Sequence, residues 1–368
     1  MNKLKYAYSY SDIGLVPRIT STLEHRSESD ISVNFCGLKL KIPLIASPMV
    51  DVCNGEMAYE LARHGALGII HRFQSIEEQI NQYQLPEIVG DRDFTGKLFE
   101  PKKHIACAVG ATGDYLERLE KLYDAGCRIF CIDTANGFNA KVKIAIKAIR
   151  DFESTRLMTT INESRIPLDN DFGTTILNNR KLYIIAGNVA TKEGFKYLAE
   201  LEVDAIRVGI AGGSVCITRT ETGVYYPMAS SVIECADAAA SMRNPPILIA
   251  DGGIQLPADL AKCLALGADI AMVGSIFAGT KEAPGVVIKD KEGRLYKLYR
   301  GAASFGVQKE HSGEEPAYNE GNETIVPYKT GGIEKVIDRF KAGLSSSFSY
   351  MNARTIEEFK NNVDYVII

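Results

Sequence analysis

The sequence predicts an α/β protein built as one closed barrel of eight parallel strands, and three observations carry that prediction. Eight short apolar or β-branched runs recur along the chain, each ending in Gly, Asp, Asn or Ser. Most are followed by an amphipathic stretch of helical period. The runs are apolar throughout rather than alternating, which is how strands buried on both faces of a parallel sheet read.

In order the runs are IPLIASPM (from 43), GALGIIH (65–71), HIACAVG (104–110), IFCIDTA (129–135), LYIIAGNV (182–189), AIRVGI (205–210), PILIADGG (246–253) and IAMVGSIF (270–277). Helical partners stand between them, among them GDYLERLEKLYDAG, NAKVKIAIKAIRDF, TKEGFKYLAELE and LPADLAKCLALG, several closed by a C-terminal glycine. Eight such units over about 250 residues describe a (β/α)8 TIM barrel. A doubly wound sheet is the competing fold, disfavoured because no GxGxxG opens a helix after the first strand.

The chain then reads as a single domain over residues 1–368, with a barrel core of about 43–285. The segment before Pro43 is a short N-terminal extension. Residues 86–103 are a connection too short for an inserted regulatory module, and 153–180 is a polar, patternless insertion on the barrel's N-terminal face. After the eighth strand, VVIKDKEGRLYKLYRG reads as a hairpin around Lys291-Glu292-Gly293, followed by a polar loop (305–325) and a C-terminal helix near GGIEKVIDRFKAGL.

Composition narrows the function classes. The net charge is -4 with a pI near 5.9, so no global positive field holds nucleic acid or an anionic membrane. No stretch approaches the roughly 18 apolar residues of a membrane span, and the N-terminus lacks a signal-peptide core, so the expected location is the cytoplasm. The eight cysteines (36, 53, 107, 127, 131, 216, 235 and 263) show no CxxC pair or Cys/His ligand spacing. Seven of them read as reduced core thiols.

In a barrel the chemistry lies at the C-terminal strand ends, which here read Ser47/Met49, His71, Gly110, Asp133, Asn188, Gly209, Asp251/Gly253 and Gly274/Ser275. Glycine lets backbone approach a phosphate closely, so DGGI and then VGS at strands seven and eight suit a phosphate cup. Cys216 lies in the glycine-rich stretch GIAGGSVCITR after strand six. A reactive thiolate needs exposure and nearby positive charge; the loop supplies the first and Arg219 part of the second.

GGSVCITR, with DAIRVG before it and GVYYP after, resembles the catalytic-cysteine loop of the IMP dehydrogenase and GMP reductase family. IPLIASPM, HGALGIIHRFQSIEEQ, IDTANG, AGNVAT, ADGGIQ, VGSIFAGTKEAPG and YRGAAS have counterparts there in the same order, so the likeness spans nearly the whole chain. It implies that a cysteine thiolate attacks C2 of a purine nucleoside monophosphate and that hydride passes between C2 and NADPH/NADP. Carried over by position, Cys216 is the nucleophile and Thr218 the hydroxyl beside the C2 substituent. Ser214, Gly253, Gly274, Ser275 and Tyr299 hold the phosphate, Asp251 the ribose, and Ser47, Met49 and Gly301 the rest of the nucleotide. Asp133, Asn136 and Asn188 face the cofactor, and the backbone of Ala211, Gly213 and Cys216 matches a potassium loop, with Ala211 where the family usually has glycine. The resemblance also implies a homotetramer.

Within the family the sequence leans to the reductase. Dehydrogenases activate water with an Arg-Tyr pair on a mobile flap, whereas Phe305 to Ile325 contains no Arg. AYNEGNETIVPY resembles the reductase RASEGKTVEVPF, which makes Glu320 the glutamate that pairs with the threonine, and SYMNARTIEEFKNNVDYVII resembles the reductase tail. HRFQSIEEQ, DAIRVG and ADGGIQ look more like dehydrogenases. Around the base Ala302, Ala303, Ala317, Asn319 and Asn322 depart from the reductase pattern. The expectation is NADPH-dependent conversion of GMP to IMP and ammonia; the alternatives are an IMP dehydrogenase without regulatory modules, or a reductase of another 2-substituted purine nucleotide.

Overall fold

A computed structural model of the chain describes residues 6–17, 19–85, 100–164 and 181–368, with side chains left out at 160–164. The strands run β1 (Ile13–Val16), β2 (Val33–Phe35), β3 (Leu38–Leu40), β4 (Leu44–Ala46), β5 (Leu67–Ile70), β6 (Ile105–Val109), β7 (Ile129–Asp133), β8 (Tyr183–Val189), β9 (Ala205–Val208), β10 (Ile247–Asp251) and β11 (Ile270–Val273). Strands β4 to β11 are the eight apolar runs, and they pair in parallel in sequence order, β11 closing back onto β4. The predicted (β/α)8 barrel is therefore present.

Alternation along each strand divides the side chains between two cores. Ile45, Leu67, Ile69, Ala106, Ala108, Cys131, Ile185, Ala205, Ile249 and Met272 fill the lumen. Their neighbours, such as Leu44, Ile70, Phe130, Ile184, Ile206 and Leu248, pack outward under the helices. The extension before Pro43 has a task in this arrangement. Its β2–β3 hairpin turns through Cys36 and Gly37, both at positive φ, and drives Phe35, Cys36 and Leu40 into the lumen cluster. A Cβ on Gly37 would stand 2.5 Å from the Tyr183 hydroxyl, so the hairpin seals the end where β8 begins, opposite the catalytic end.

The connections carry their own start signals. Asn54 accepts from Met57 N at the helix Gly55–Arg63, Ser75 and Glu78 form a capping box at Ile76–Tyr83, and Thr191 caps Lys192–Ala199. Beyond the barrel, β12 (Ile288–Lys289), β13 (Leu295–Arg300) and β14 (Glu323–Pro327) make an antiparallel sheet whose first turn is the expected hairpin. The helix Gly332–Tyr350 lies close against Pro257–Ala265, with Gly343 leaving no room for a Cβ beside Pro257. A last helix, Ile356–Asn362, leads into β15 (Asp364–Ile367), which pairs antiparallel with β1. Among the described residues no helix is long and apolar enough to cross a membrane.

Two segments differ from the sequence reading. The fourth helix spans Ala140–Ser164, so the part of 153–180 that read as patternless is helical as far as Ser164. Polar residues sustain it locally: Arg150 pairs with Glu153 at i,i+3, and Thr155 returns its hydroxyl to the Asp151 carbonyl. Glu153 also accepts from Leu182 N, which fixes this end beside the start of β8 and so on the N-terminal face. Residues 165–180, like 86–99, lie outside the described residues. The polar stretch 305–325 likewise contains a helix, Phe305–Ser312, capped by Ser304, and the start of β14. That helix buries only Val307, so no apolar stripe announced it.

Candidate active site

At the C-terminal ends of the barrel strands the fold leaves a cavity of about 550 Å³. Its lining contains Ser47, Met49, Asp133, Asn188, Ala211, Gly213, Ser214, Cys216, Thr218, Asp251, Gly253, Gly274, Ser275, Tyr299, Gly301 and Glu320. Residues from seven barrel strands and the appended sheet are gathered around this space. Asn136 is not among them: it borders a neighbouring hollow with Phe138, Thr191, Tyr225 and Glu234. At β5 the lining side chains are Arg72 and Phe73 rather than His71.

Cys216 is set apart from the other cysteines by its surroundings. The other seven are buried, whereas Cys216 is half-buried on the cavity wall. Burial drives the thiols of Cys53, Cys235 and Cys263 far above their ordinary range, and pushes Cys131 up to about 12 despite Arg207. Such thiols stay protonated and inert.

The cysteine loop is held by the segment that carries Glu320. Cys216 and Gly321 form an antiparallel bridge, Ile217 N donates to Glu320 O at 3.0 Å and Asn322 N to Val215 O at 2.7 Å. On the other side Glu320 N donates to Ala303 O. Gly321 is needed for this fit, since a Cβ there would stand 2.4 Å from Ser304 N. Two segments 102 residues apart thereby bring three side chains into line. The Cys216 Sγ lies 3.3 Å from Thr218 Oγ1, which donates at 2.6 Å to Glu320 Oε2.

Across the cavity, Arg207 projects inward from β9 two positions after Ala205 and is 7% exposed. It donates to Asp133 at 2.7 Å and to Asp251 at 2.8–3.0 Å, and Asn188 Nδ2 donates to the same Asp251 oxygen at 2.7 Å. Burial opposes the charge of Arg207, but Asp251, Cys131 and Asp133 hold its pKa well above the ordinary value. Both acids are oriented by this arginine. The sequence reading named Asp133, Asn188 and Asp251 and missed Arg207; the period-2 pattern of AIRV points it into the lumen, where a charge survives only with partners.

The strand-seven and strand-eight glycines shape the far end. Gly253 has φ +73°, and a Cβ on Gly274 would stand 2.7 Å from the Tyr299 hydroxyl. Burial pushes that hydroxyl up to about 12, with Ser214 bonded to it, so it is a neutral donor. Ala211 takes φ +59°, the left-handed conformation that glycine adopts more readily, so the loop keeps a glycine-like path despite the side chain. Of its carbonyls, Gly213 O already accepts from Cys216 N at 3.2 Å. Among the described residues no group of three or more His, Cys, Asp or Glu side chains could hold a metal ion.

A second ion pair, also missed in the sequence, ties the appended sheet to the barrel. Arg300 on β13 donates to both oxygens of Asp51 at 2.9 and 3.0 Å and to Glu310 at 2.8 Å. It links the Ser47-Met49 loop to Gly301 and to the helix Phe305–Ser312.

Comparison with known proteins agrees with this geometry. The family model described as IMP dehydrogenase / GMP reductase domain matches residues 7–161 and 173–368. The chain is 31% identical to an inosine-5'-monophosphate dehydrogenase of Methanocaldococcus jannaschii, over 99% of this chain and 93% of that protein. It is also 31% identical to GMP reductase 1 of Mus musculus and to GMP reductase 2 of Homo sapiens, each over 97% of this chain and 94% and 93% of those proteins. The barrel, the cysteine loop and these matches together show that the chain belongs to the IMP dehydrogenase / GMP reductase family.

Proposed function

We propose that this chain is a GMP reductase, an NADPH-dependent oxidoreductase that converts GMP to IMP and ammonia through a thioimidate on Cys216. The observation that carries the reading is the relay from Cys216 Sγ through Thr218 Oγ1 to Glu320. As the thiol attacks C2 of the purine, its proton passes to Thr218 while the Thr218 proton passes to Glu320. The departing amine then takes a proton back from this pair and leaves as ammonia, with C2 bonded to sulfur. General acid assistance of this kind contributes about two to four powers of ten in rate. The covalent adduct divides a difficult displacement into two steps.

When bound, the nicotinamide cofactor would supply hydride to C2, and the C2–S bond would then break to give IMP and return the Cys216 thiolate. Asp133 and Asn188 stand on the cavity wall as acceptors for its ribose and amide, the Asn188 Nδ2 being already committed to Gly209 O and Asp251, with Asn136 outside that wall. Potassium would lie against the carbonyls of Ala211, Gly213 and Cys216 and order the cysteine loop. The phosphate belongs with Ser214, Gly253, Gly274, Ser275 and Tyr299, the ribose with Asp251, and the base with Ser47, Met49 and Gly301. A homotetramer in the cytoplasm is the assembly and location expected with this activity.

A second reading, a dehydrogenase oxidising IMP with NAD, has in its favour the dehydrogenase-like HRFQSIEEQ, DAIRVG and ADGGIQ, and the dehydrogenase and reductase relatives stand at the same 31% identity. The absence of Arg between Phe305 and Ile325 speaks against it. Incubation with GMP plus NADPH and, separately, with IMP plus NAD, following reduced nicotinamide, decides between them. Loss of NADPH with ammonia release is expected; NADH formation from IMP alone would establish the dehydrogenase.

A further inference from the structure

The phosphate end of the cavity poses an electrostatic question. The two cationic side chains of the lining are Arg72 and Arg207, and both stand with Asp133, at 3.8 and 2.7 Å. Ser214, Gly253, Gly274, Ser275 and Tyr299 are all uncharged. A nucleoside monophosphate carries close to two negative charges at neutral pH, and taking that dianion out of water without a nearby cation is costly.

A cation lies behind this wall. Lys329 follows β14, and its Nζ donates to the carbonyls of Ser275 at 3.2 Å and Ala278 at 3.1 Å, and to that of Ile276. Its backbone is fixed as well: Lys329 N donates to Gly279 O at 2.7 Å, and Thr280 and Lys329 form a parallel bridge. Among the described residues no carboxylate pairs with it, and Arg339 is the charged group felt there. An ammonium with only carbonyl partners is an expensive way to close a turn, because burial pulls its pKa down to about 8.

The carbonyls that hold Lys329 belong to the turn that opens with Gly274 and Ser275 on the cavity wall. Phe277 N and Ala278 N both donate to Gly274 O at 3.0 Å, so the turn is closed on itself. A trans peptide is planar, with C=O and N–H antiparallel. The Ser275 carbonyl points to Lys329, so the Ile276 N–H of the same plane points the opposite way.

We propose that Lys329 is the cation of the phosphate subsite: from behind the Gly274–Ala278 turn it supplies the counter-charge and fixes the peptide planes that face the phosphate, without touching the ligand. It is a positioning residue, and the inference rests on the reading that the cavity takes a purine nucleoside monophosphate.

The test compares a ligand that has the phosphate with one that lacks it. Wild type, Lys329→Gln and Lys329→Arg are titrated calorimetrically with GMP and with guanosine, and their melting temperatures recorded. Glutamine still donates to the carbonyls but carries no charge, so GMP affinity should fall roughly ten- to a hundredfold, as loss of a unit charge at short range implies. Guanosine affinity should change less than about twofold, and arginine should restore most of the loss. Unchanged GMP affinity in Lys329→Gln overturns the inference, and so does an equal loss for guanosine, which marks a loosened loop. Should Lys329→Gln not fold, the wild type decides by salt. A half-buried counter-charge set behind the turn is screened less than an exposed one, so the preference for GMP over guanosine should shift less than about threefold between roughly 0.1 and 1 M KCl, whereas a steep fall would assign the preference to exposed cations. Wild type that binds neither GMP nor IMP refutes the nucleotide reading itself.

Discussion

Cys216 is the one thiol of its loop, and the groups assigned to phosphate and ribose are other residues. Replacement of Cys216 by alanine should therefore lower turnover by several powers of ten while leaving GMP binding within a few-fold. Calorimetry beside a turnover assay checks both halves, and retention of even a tenth of the activity would rule out the covalent route. Glu320 is the sharper probe, because it reaches the reacting centre only through Thr218. Glu320→Gln keeps the size and a polar partner for Thr218 but cannot accept the relayed proton. Ammonia release from GMP should slow by roughly two to four powers of ten with little change in KM. A nucleotide bearing a better leaving group at C2, such as 2-chloro-IMP, should still form the Cys216 adduct, detectable by mass; normal ammonia release would reduce Glu320 to a loop carboxylate.

At the scale of elements, the eight barrel strands were legible because each is a short apolar run punctuated by glycine or a polar residue, and the buried parallel strand leaves that signature. The helix Phe305–Ser312 and the helical stretch 153–164 were not, because both sequences are polar; the first rests on its Ser304 cap and the second on contacts of Glu153 and Thr155. The same division holds in the site. Cys216 and the glycines of strands seven and eight were readable from local motifs, and Thr218 through the family resemblance. Arg207, Arg300 and Lys329 were not, since their meaning lies in partners far along the chain; Arg300 and Asp51 are 249 residues apart. That pair gives an element-level prediction. Arg300→Met strands a 4%-exposed carboxylate at Asp51, which should cost about 3–5 kcal/mol in unfolding free energy and raise KM by displacing Met49 and Gly301. Adding Asp51→Leu removes the stranded charge and should recover part of the stability in urea titrations; a double variant no more stable than the single would show that the pair is not coupled.

Stability of the whole molecule should depend on pH through a histidine that the site does not use. His71 directly follows β5 and is 6% exposed; its backbone N–H donates to Cys53 O, and its Nδ1 has no hydrogen-bond partner among the described residues. Burial, aided by Arg118 and His311 and opposed by Glu78, lowers its pKa to about 4, so the folded barrel holds it neutral. In the unfolded chain it titrates near 6.5. Between those values the unfolded state binds a proton that the folded state refuses, so this contribution is intact above about pH 6.5 and is lost as pH falls toward 4. The full loss is about 3 kcal/mol, an upper figure that adds to any from carboxylates. Urea titrations of the wild type between pH 7 and 4.5 should therefore fall more steeply than those of His71→Gln, which lacks the proton site but keeps a similar volume. Parallel curves for the two proteins would mean that His71 takes up its proton in the folded barrel as readily as in the unfolded chain, and that the interior beside β5 is wetter than its packing indicates.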